Sequence, residues 1–460
     1  MVSINLNVDP LKHRFLRIFS LFLIVAAVVV ALCVWRWDIF FGRTTECAYM
    51  LPDEPQFVQM GLGENGLADR TFSWSTASPD TSLLRLINIG SYKTDTVVRS
   101  VGTQVQTMGG EQYMHVVRLQ QINPGTYRVA IDSSFISQPF RISSPADTTL
   151  LFAIFGDLLI SDSTDNNAIA NAIAITNANA NVVYTGNILH ESTEQNLLRW
   201  QQEWSQVPQL MPQIGVPGSR DYDRGIGRVI DPRWRFRFPL PLNGPDRFLG
   251  TTAYVDFPLC RLILIDTETL EWLVDYTVLQ TWLCRTLQDA GERWKIVVMH
   301  HSVHSASAGF DHPRLHAALH PTLDAADLIV SGNDLTYGRR ADISLSDLIN
   351  EQHTVPVYVV LTSDSAESAV PKCSPLDHRI GSNRAFFATL SVEPSSLRFT
   401  TRYLNYPDSI YDAFTIDKTT KIVSEQSGLP EEVIELPAPH ADSGLRARRF
   451  EQLRAARQSR

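Results

Sequence analysis

The segment His300-His301-Ser302-Val303-His304-Ser305 sets three imidazoles and two hydroxyls directly after the apolar run 294–299. These residue types ligate metals, carry protons and, with an acid, activate nucleophiles. Zinc sites use histidines close in sequence. Successive side chains on an extended segment point to opposite sides, however, so only one of His300 and His301 can face a given pocket. A nucleophilic triad is not indicated. The chain has no Gly-x-Ser-x-Gly elbow, and Thr362-Ser363-Asp364-Ser365 reads as a polar turn. Four further polar clusters follow apolar runs: Gly156-Asp157, Gly186-Asn187-Ile188-Leu189-His190, Pro217-Gly218-Ser219-Arg220-Asp221, and Ser331-Gly332-Asn333-Asp334-Leu335-Thr336-Tyr337-Gly338-Arg339. An aspartate after glycine at a strand end is by itself a common turn residue, so their meaning lies in the set.

Taken in order, the clusters resemble the signature of calcineurin-like metallophosphoesterases, and among them the purple acid phosphatases. The resemblance covers roughly residues 55 to 418. Gly156-Asp157 and His300 keep the family's residues. Gly186-Asn187 to His190 resembles Gly-Asp-x-x-Tyr, with asparagine for the bridging aspartate and histidine for the tyrosine. The segment 217–221 resembles Gly-Asn-His-Glu/Asp, with Ser219 for a ligand asparagine, Arg220 for a histidine, and Asp221 retained as the acid. The segment 331–339 resembles Gly-His-x-His-x-Tyr-x-Arg, with Asn333 and Leu335 for the two histidines and with Tyr337 and Arg339 retained.

The family's chemistry needs anionic oxygens around two cations about 3.5 to 4 Å apart, which clamp phosphate and activate water. Asparagine at 187 offers a neutral oxygen there, leucine at 335 cannot ligate, and Arg220 adds a fixed positive charge. The resemblance therefore implies a degenerate site, a pseudoenzyme without cofactor, acting in binding or assembly. Two alternatives stand beside it. One is a phosphomonoesterase or diesterase with an altered centre at Asp157, His190 and His300 holding iron, zinc or manganese, with His304 or His301 as acid. The other is a metal-free anion sensor using Arg220 and Arg339. The bland reading pairs Arg220 with Asp157 or Asp221.

Positioning these residues requires a layered α/β architecture, and from 146 to 418 apolar strands alternate with helical stretches. The resemblance implies a four-layer α/β/β/α sandwich. Residues 277–290 show helical spacing of Leu279, Trp282, Leu283 and Leu287, and 388–392 with 396–400 read as a terminal hairpin. Residues 44–145 are short alternating strands broken by Gly, Pro and Asp, which reads as a separate β-sandwich domain. They resemble the fibronectin type III-like domain preceding purple acid phosphatases, with Trp74 in the core and 140–145 as last strand and linker.

Residues 1–43 hold the uncharged run Ile18 to Trp35, long enough to span a bilayer with its flanks. Lys12, Arg14 and Arg17 precede it, whereas Arg36 and Arg43 are offset by Asp38 and Glu46. This bias puts the short N-terminus in the cytoplasm and the bulk of the chain in the periplasm or outside the cell. Val34-Trp35-Arg36-Trp37, standing where a small-x-small site would be, favours a single-pass signal anchor in the cytoplasmic membrane over a removed or lipidated leader. Five cysteines leave four outside the apolar run, and a Cys260–Cys284 disulfide and buried free thiols are both open readings. The segment 419–460 is a Pro/Glu-rich linker and a tail with six arginines against one glutamate after Ser443. That tail, or the fibronectin-like domain, is the expected contact for a protein partner or an anionic polymer. A net charge of −9 with no basic aromatic face argues against nucleic acid, and 44% hydrophobic with 19% charged residues excludes a disordered chain.

Overall fold

The N-terminal helix runs from Pro10 to Trp35. Its 26 residues reach about 39 Å at 1.5 Å each, more than a bilayer core of about 30 Å. The window Arg17–Val34 has a mean hydropathy of 2.8 with none of it buried, so its apolar side chains, Ile18 among them, have no protein core to enter. It is a helix long and apolar enough to cross a membrane, and it falls in a small unit that also takes Val229. The computed structural model describes residues 10–35, 48–52, 54–91, 93–107, 109–160, 167–176, 180–207, 209–222, 229–271, 276–306, 313–342, 353–364, 379–381 and 384–426. Expectations about Cys47, Cys373 and the tail beyond 426 fall outside them.

The expected β-sandwich is present as two antiparallel sheets. One has the strand order Gln56–Leu62, Arg70–Thr76, Glu111–Leu119, Thr103–Gln106. The other runs Lys93–Val101, Thr81–Asn88, Gly125–Ile131, Phe135–Ile136, with Phe140–Ile142 also on Gly125–Ile131. Period-two alternation explains the faces: Leu84 and Leu86 from one strand, and Tyr127, Val129 and Ile131 from another, enter one core with Phe72 and Trp74. Trp74 is fully buried and stacks on His115 at 5.0 Å between ring centres.

This sandwich does not stand apart. The described residues from 48 onward, Val229 excepted, form one compact unit. The strand Gln56–Leu62 serves two cores, giving Met60 to the sandwich and Phe57 and Leu62 to the larger core beyond. Gln112 Nε2 also donates to the buried Glu194 carboxylate. The boundary near 145 is thus a change of sheet without a gap in packing.

Beyond it lies a mixed sheet of fourteen strands. Leu150–Phe155, Asn181–Tyr184 and Gln213–Gly215 run parallel, and so do Cys260–Ile265, Trp294–Met299, Leu328–Ser331 and His353–Val360. Ile422–Glu425 pairs with both Ile410–Asp417 and His353–Val360 and so joins the two groups in one hydrogen-bonded path. In the second group Ile263, Ile265, Val297, Met299 and Ile329 pack against the helices Thr277–Asp289 and Pro313–Leu323. The intervening residues Leu262, Leu264, Ile296, Val298, Leu328 and Val330 enter the large core that also takes Phe152, Ile154, Val182 and Tyr184. The helix at 277 and the hairpin of Phe386–Val392 with Ser396–Tyr403 follow the expected spacing, and Trp282 Nε1 donates to the carbonyl of Asn243.

The Cys260–Cys284 disulfide does not form. Cys260 is fully buried on its strand, Cys284 is exposed on the helix, and both are free.

Candidate functional site

Parallel strands that end at one edge deliver their following residues to one place. Here those residues are Asp157, Asn187 and Gly218 from the first group, and His300 and Gly332-Asn333 from the second. Their closeness is measured by what the glycines exclude. A side chain on Gly332 would come within 2.7 Å of Asp157 Oδ2 and 2.6 Å of Thr185 Oγ1. Gly186, at φ +104°, sits where a Cβ would meet His300 Nδ1 at 2.6 Å. The backbone is contorted at the same place: Leu159, Asn187, Asn333 and Leu335 all have φ between +48° and +72°. That region is costly for residues other than glycine, most of all for leucine, and such strain gathers at functional sites.

The side chain at the centre is Asn187. Its Nδ2 donates to Asp157 Oδ1 at 2.8 Å and lies 3.1 Å from His300 Nε2. Its Oδ1 accepts from the Arg220 backbone N–H at 2.9 Å. His300 Nδ1 is 2.8 Å from the carbonyl of Thr185, which can only accept, so the proton sits on Nδ1 and Nε2 accepts from the amide. The second Asp157 oxygen accepts from the Asn333 backbone N–H at 2.6 Å. One primary amide thus spends both hydrogens on the two residues that match the family's metal ligands. Asp157 and His300 are fully buried and Asn187 nearly so.

The sequence-derived site residues divide into those the structure brings together and those it does not. Asp157, Asn187, His300, Asn333 and the turn Ser219–Asp221 converge. Asp221 accepts from the Gly218 N–H at 2.9 Å, and burial pushes its carboxyl above the usual range, against the pull of Arg237, that N–H and His300. His190 is exposed and meets the cluster through its carbonyl, which accepts from Arg220 Nη1 at 3.0 Å. The guanidinium of Arg220 therefore turns to a main-chain oxygen, where a pairing with Asp157 or Asp221 was expected.

Tyr337 and Arg339 leave the cluster altogether. Arg339 Nε lies 2.6 Å from Asp412 Oδ2, its Nη2 is 3.0 Å from Glu425, and the Tyr337 hydroxyl donates to Asp412 at 2.7 Å. Burial alone would lower the basicity of Arg339, but Asp412 outweighs it and holds the guanidinium charged. The anion-sensor reading therefore loses one of its two arginines to a structural ion pair.

His301 takes different polar partners from His300, with Nδ1 3.0 Å from Thr267 Oγ1 and Nε2 3.5 Å from Glu268, although the two rings still meet edge to face at 4.9 Å between centres. Ser363 accepts from the Gly156 N–H and donates to the Phe386 carbonyl, and Thr362 closes a turn with Asp364, so these residues make the expected polar turn.

The donor set does not fit the family's metal pair. Asp157 and His300 already share the Asn187 amide, Leu335 has no donor atom, and His190 is held through its main chain. Sequence reasoning missed Thr185 and Asp412. Thr185 acts through its carbonyl, which leaves no trace in residue type, and Asp412 becomes a partner only through strand pairing. It also missed Arg237, whose Nε and Nη2 are buried without a hydrogen bond among the described residues. Arg237 lines a cavity of about 270 Å³ with Phe57, Trp200, Trp204 and Met211. Burial lowers its basicity, with Asp231 and Asp221 opposing.

No family model matches the chain, and no curated protein matches it. Among solved structures, the chain is similar to GAP50, the anchor in the inner membrane complex of Plasmodium. The identity is 16% over 67% of this chain and 95% of that one, at a TM-score of 0.40. It is also similar to a conserved uncharacterized protein of Streptococcus pneumoniae described as a predicted phosphoesterase, at 9% identity over 61% of this chain and 99% of that one, with a TM-score of 0.28. Both likenesses are distant.

Proposed function

We propose that this chain is a membrane-anchored, metallophosphoesterase-like pseudoenzyme that acts in binding or assembly. On this reading its α/β region derives from the four-layer α/β/β/α sandwich of that class, its β-sandwich is of the fibronectin type III-like kind, and its bulk lies outside the cytoplasm. The observation that carries the proposal is the Asn187 amide, which bridges Asp157 and His300 while its own oxygen is taken by the Arg220 N–H. A site that satisfies its retained ligands internally gains nothing from a cation, and a neutral amide cannot offset the repulsion between two metals. Binding through the sandwich or the arginine-rich tail to a protein or an anionic polymer is the function left to such a molecule.

The test uses the full chain in detergent, incubated with iron, zinc and manganese and assayed with p-nitrophenyl phosphate beside Asp157→Asn and His300→Ala. No turnover above blank is expected, and metal content should be the same in all three proteins. Turnover that disappears in His300→Ala would establish the active-enzyme alternative instead.

A further inference from the structure

Outside the degenerate centre the fold assembles a second set of donors. We infer that His304, His316 and His320 form a binding site for a zinc ion, separate from Asp157 and His300. His316 and His320 are four residues apart on the helix Pro313–Leu323, a spacing that puts both imidazoles on one face. Their rings stack at 4.4 Å between centres with planes 15° apart. His304, in the loop after Trp294–Met299, presents its ring edgewise to both, at 5.4 Å and 5.1 Å. One ligating atom from each of the three lies within 4.8 Å of the others. Zinc bound tetrahedrally at about 2.1 Å from each nitrogen holds them about 3.4 Å apart, so side-chain rotation of about an ångström closes the site.

Two neighbouring features favour a ligand set over a chance cluster. Asp334 Oδ2 accepts from the Ala306 N–H at 2.7 Å and from Ser302 Oγ at 3.2 Å, which pins the loop carrying His304 from both sides. Asp324 Oδ1 stands 4.0 Å from His320 Nδ1, beyond hydrogen-bond distance but near enough that a small rotation gives the carboxylate–imidazole pairing that orients a zinc ligand and leaves Nε2 to the metal. Three neutral imidazoles suit zinc among the divalent ions.

Arg340 makes the proposal sharp. Its Nη1 lies 3.1 Å from His304 Nδ1, and since a guanidinium only donates, that nitrogen is the unprotonated one. Metal at Nδ1 takes the same lone pair, and metal at Nε2 requires the proton on Nδ1, so either mode breaks the Arg340 contact. Zinc and Arg340 therefore compete.

The experiment titrates full-length protein in detergent, stripped with a chelator, with Zn²⁺, using Co²⁺ absorption as a coordination probe and thermal melting as a folding control. One Zn²⁺ per chain is expected. His316→Ala and His320→Ala should abolish it, Asp324→Ala should weaken it about tenfold, Arg340→Ala should tighten it, and Asp157→Asn should leave it unchanged. The absence of zinc binding, binding that survives both histidine variants, or loss in Asp157→Asn overturns the inference. Should the histidine variants fail to fold, Asp324→Ala and Arg340→Ala decide it, because unchanged affinity in both is equally fatal.

Discussion

Replacing Asn187 by aspartate restores the carboxylate that the phosphoesterase pattern calls for, and is expected to damage the protein. The substitution removes the amide that donates to Asp157 at 2.8 Å and to His300 at 3.1 Å, and it sets one carboxylate oxygen beside another. Two unit charges 2.8 Å apart at an effective dielectric of about 20 repel by about 6 kcal/mol. The pair escapes part of this by taking up a proton. Holding a carboxyl of ordinary pKa about 3.9 protonated at pH 7 costs about 4 kcal/mol, which caps the electrostatic penalty. Relaxation leaves a net destabilisation of about 4 kcal/mol at pH 7, shrinking towards about 1 kcal/mol near pH 4 as protonation becomes free. Urea unfolding followed by tryptophan fluorescence at several pH values, on full-length protein with and without Mn²⁺ or Zn²⁺, measures it. The reasoning fails if Asn187→Asp is as stable as the parent at pH 7. It fails equally if added metal restores the lost stability, because the surrounding ligands would then still be competent.

The buried ion pair offers a second case. Arg339 and Asp412 have side chains only 1% exposed, so Asp412→Ala leaves a guanidinium with the half-exposed Glu425 alone and should cost about 3 to 5 kcal/mol; a cost under 1 kcal/mol in urea would mean the pair is solvated. Acidity should act in an unusual direction. Burial raises the carboxyls of both Asp221 and Asp266, so the folded state binds their protons more tightly than the unfolded chain. Their contribution is complete below the ordinary carboxylate value and is lost as pH rises through the raised one. Burial holds the His115 imidazole below its ordinary value and pulls the whole-chain curve the other way, so the test is a difference: Asp221→Asn should be more stable than the parent near neutral pH, by a margin that shrinks as pH falls. Asp231 works oppositely: burial would raise its carboxyl, but Arg233 outweighs it and depresses the value, so its loss begins only below the ordinary range. A gap in melting temperature between Asp221→Asn and the parent that fails to shrink on acidification would contradict this assignment.

Much of the scaffold was legible because apolar periodicity is local. The run from Ile18 makes a helix from its own composition, and the alternation around Trp74 and Tyr127 marks a sandwich core. Apolar runs ending in Gly-Asp, Gly-Asn and His mark parallel strands whose ends meet. The convergence of Asp157, Asn187 and His300 was implied by the resemblance of the clusters, taken in order, to the metallophosphoesterase signature. The geometry within that convergence was not. Residue type says that asparagine is a poor bridge between metals; only tertiary structure shows its amide occupying both retained ligands. Arg339 and Tyr337 match a signature in sequence yet turn to Asp412, because the pairing of distant strands places a buried carboxylate beneath them. The four-residue spacing of His316 and His320 was open to inspection, but His304 joins them through a loop whose path depends on Asp334. The sequence by itself determined which elements form and which functional groups lie at their ends, since those follow from neighbours along the chain. Which groups those side chains touch was decided by tertiary structure, because buried donors and acceptors must be satisfied by whatever partners the packed strands bring within reach.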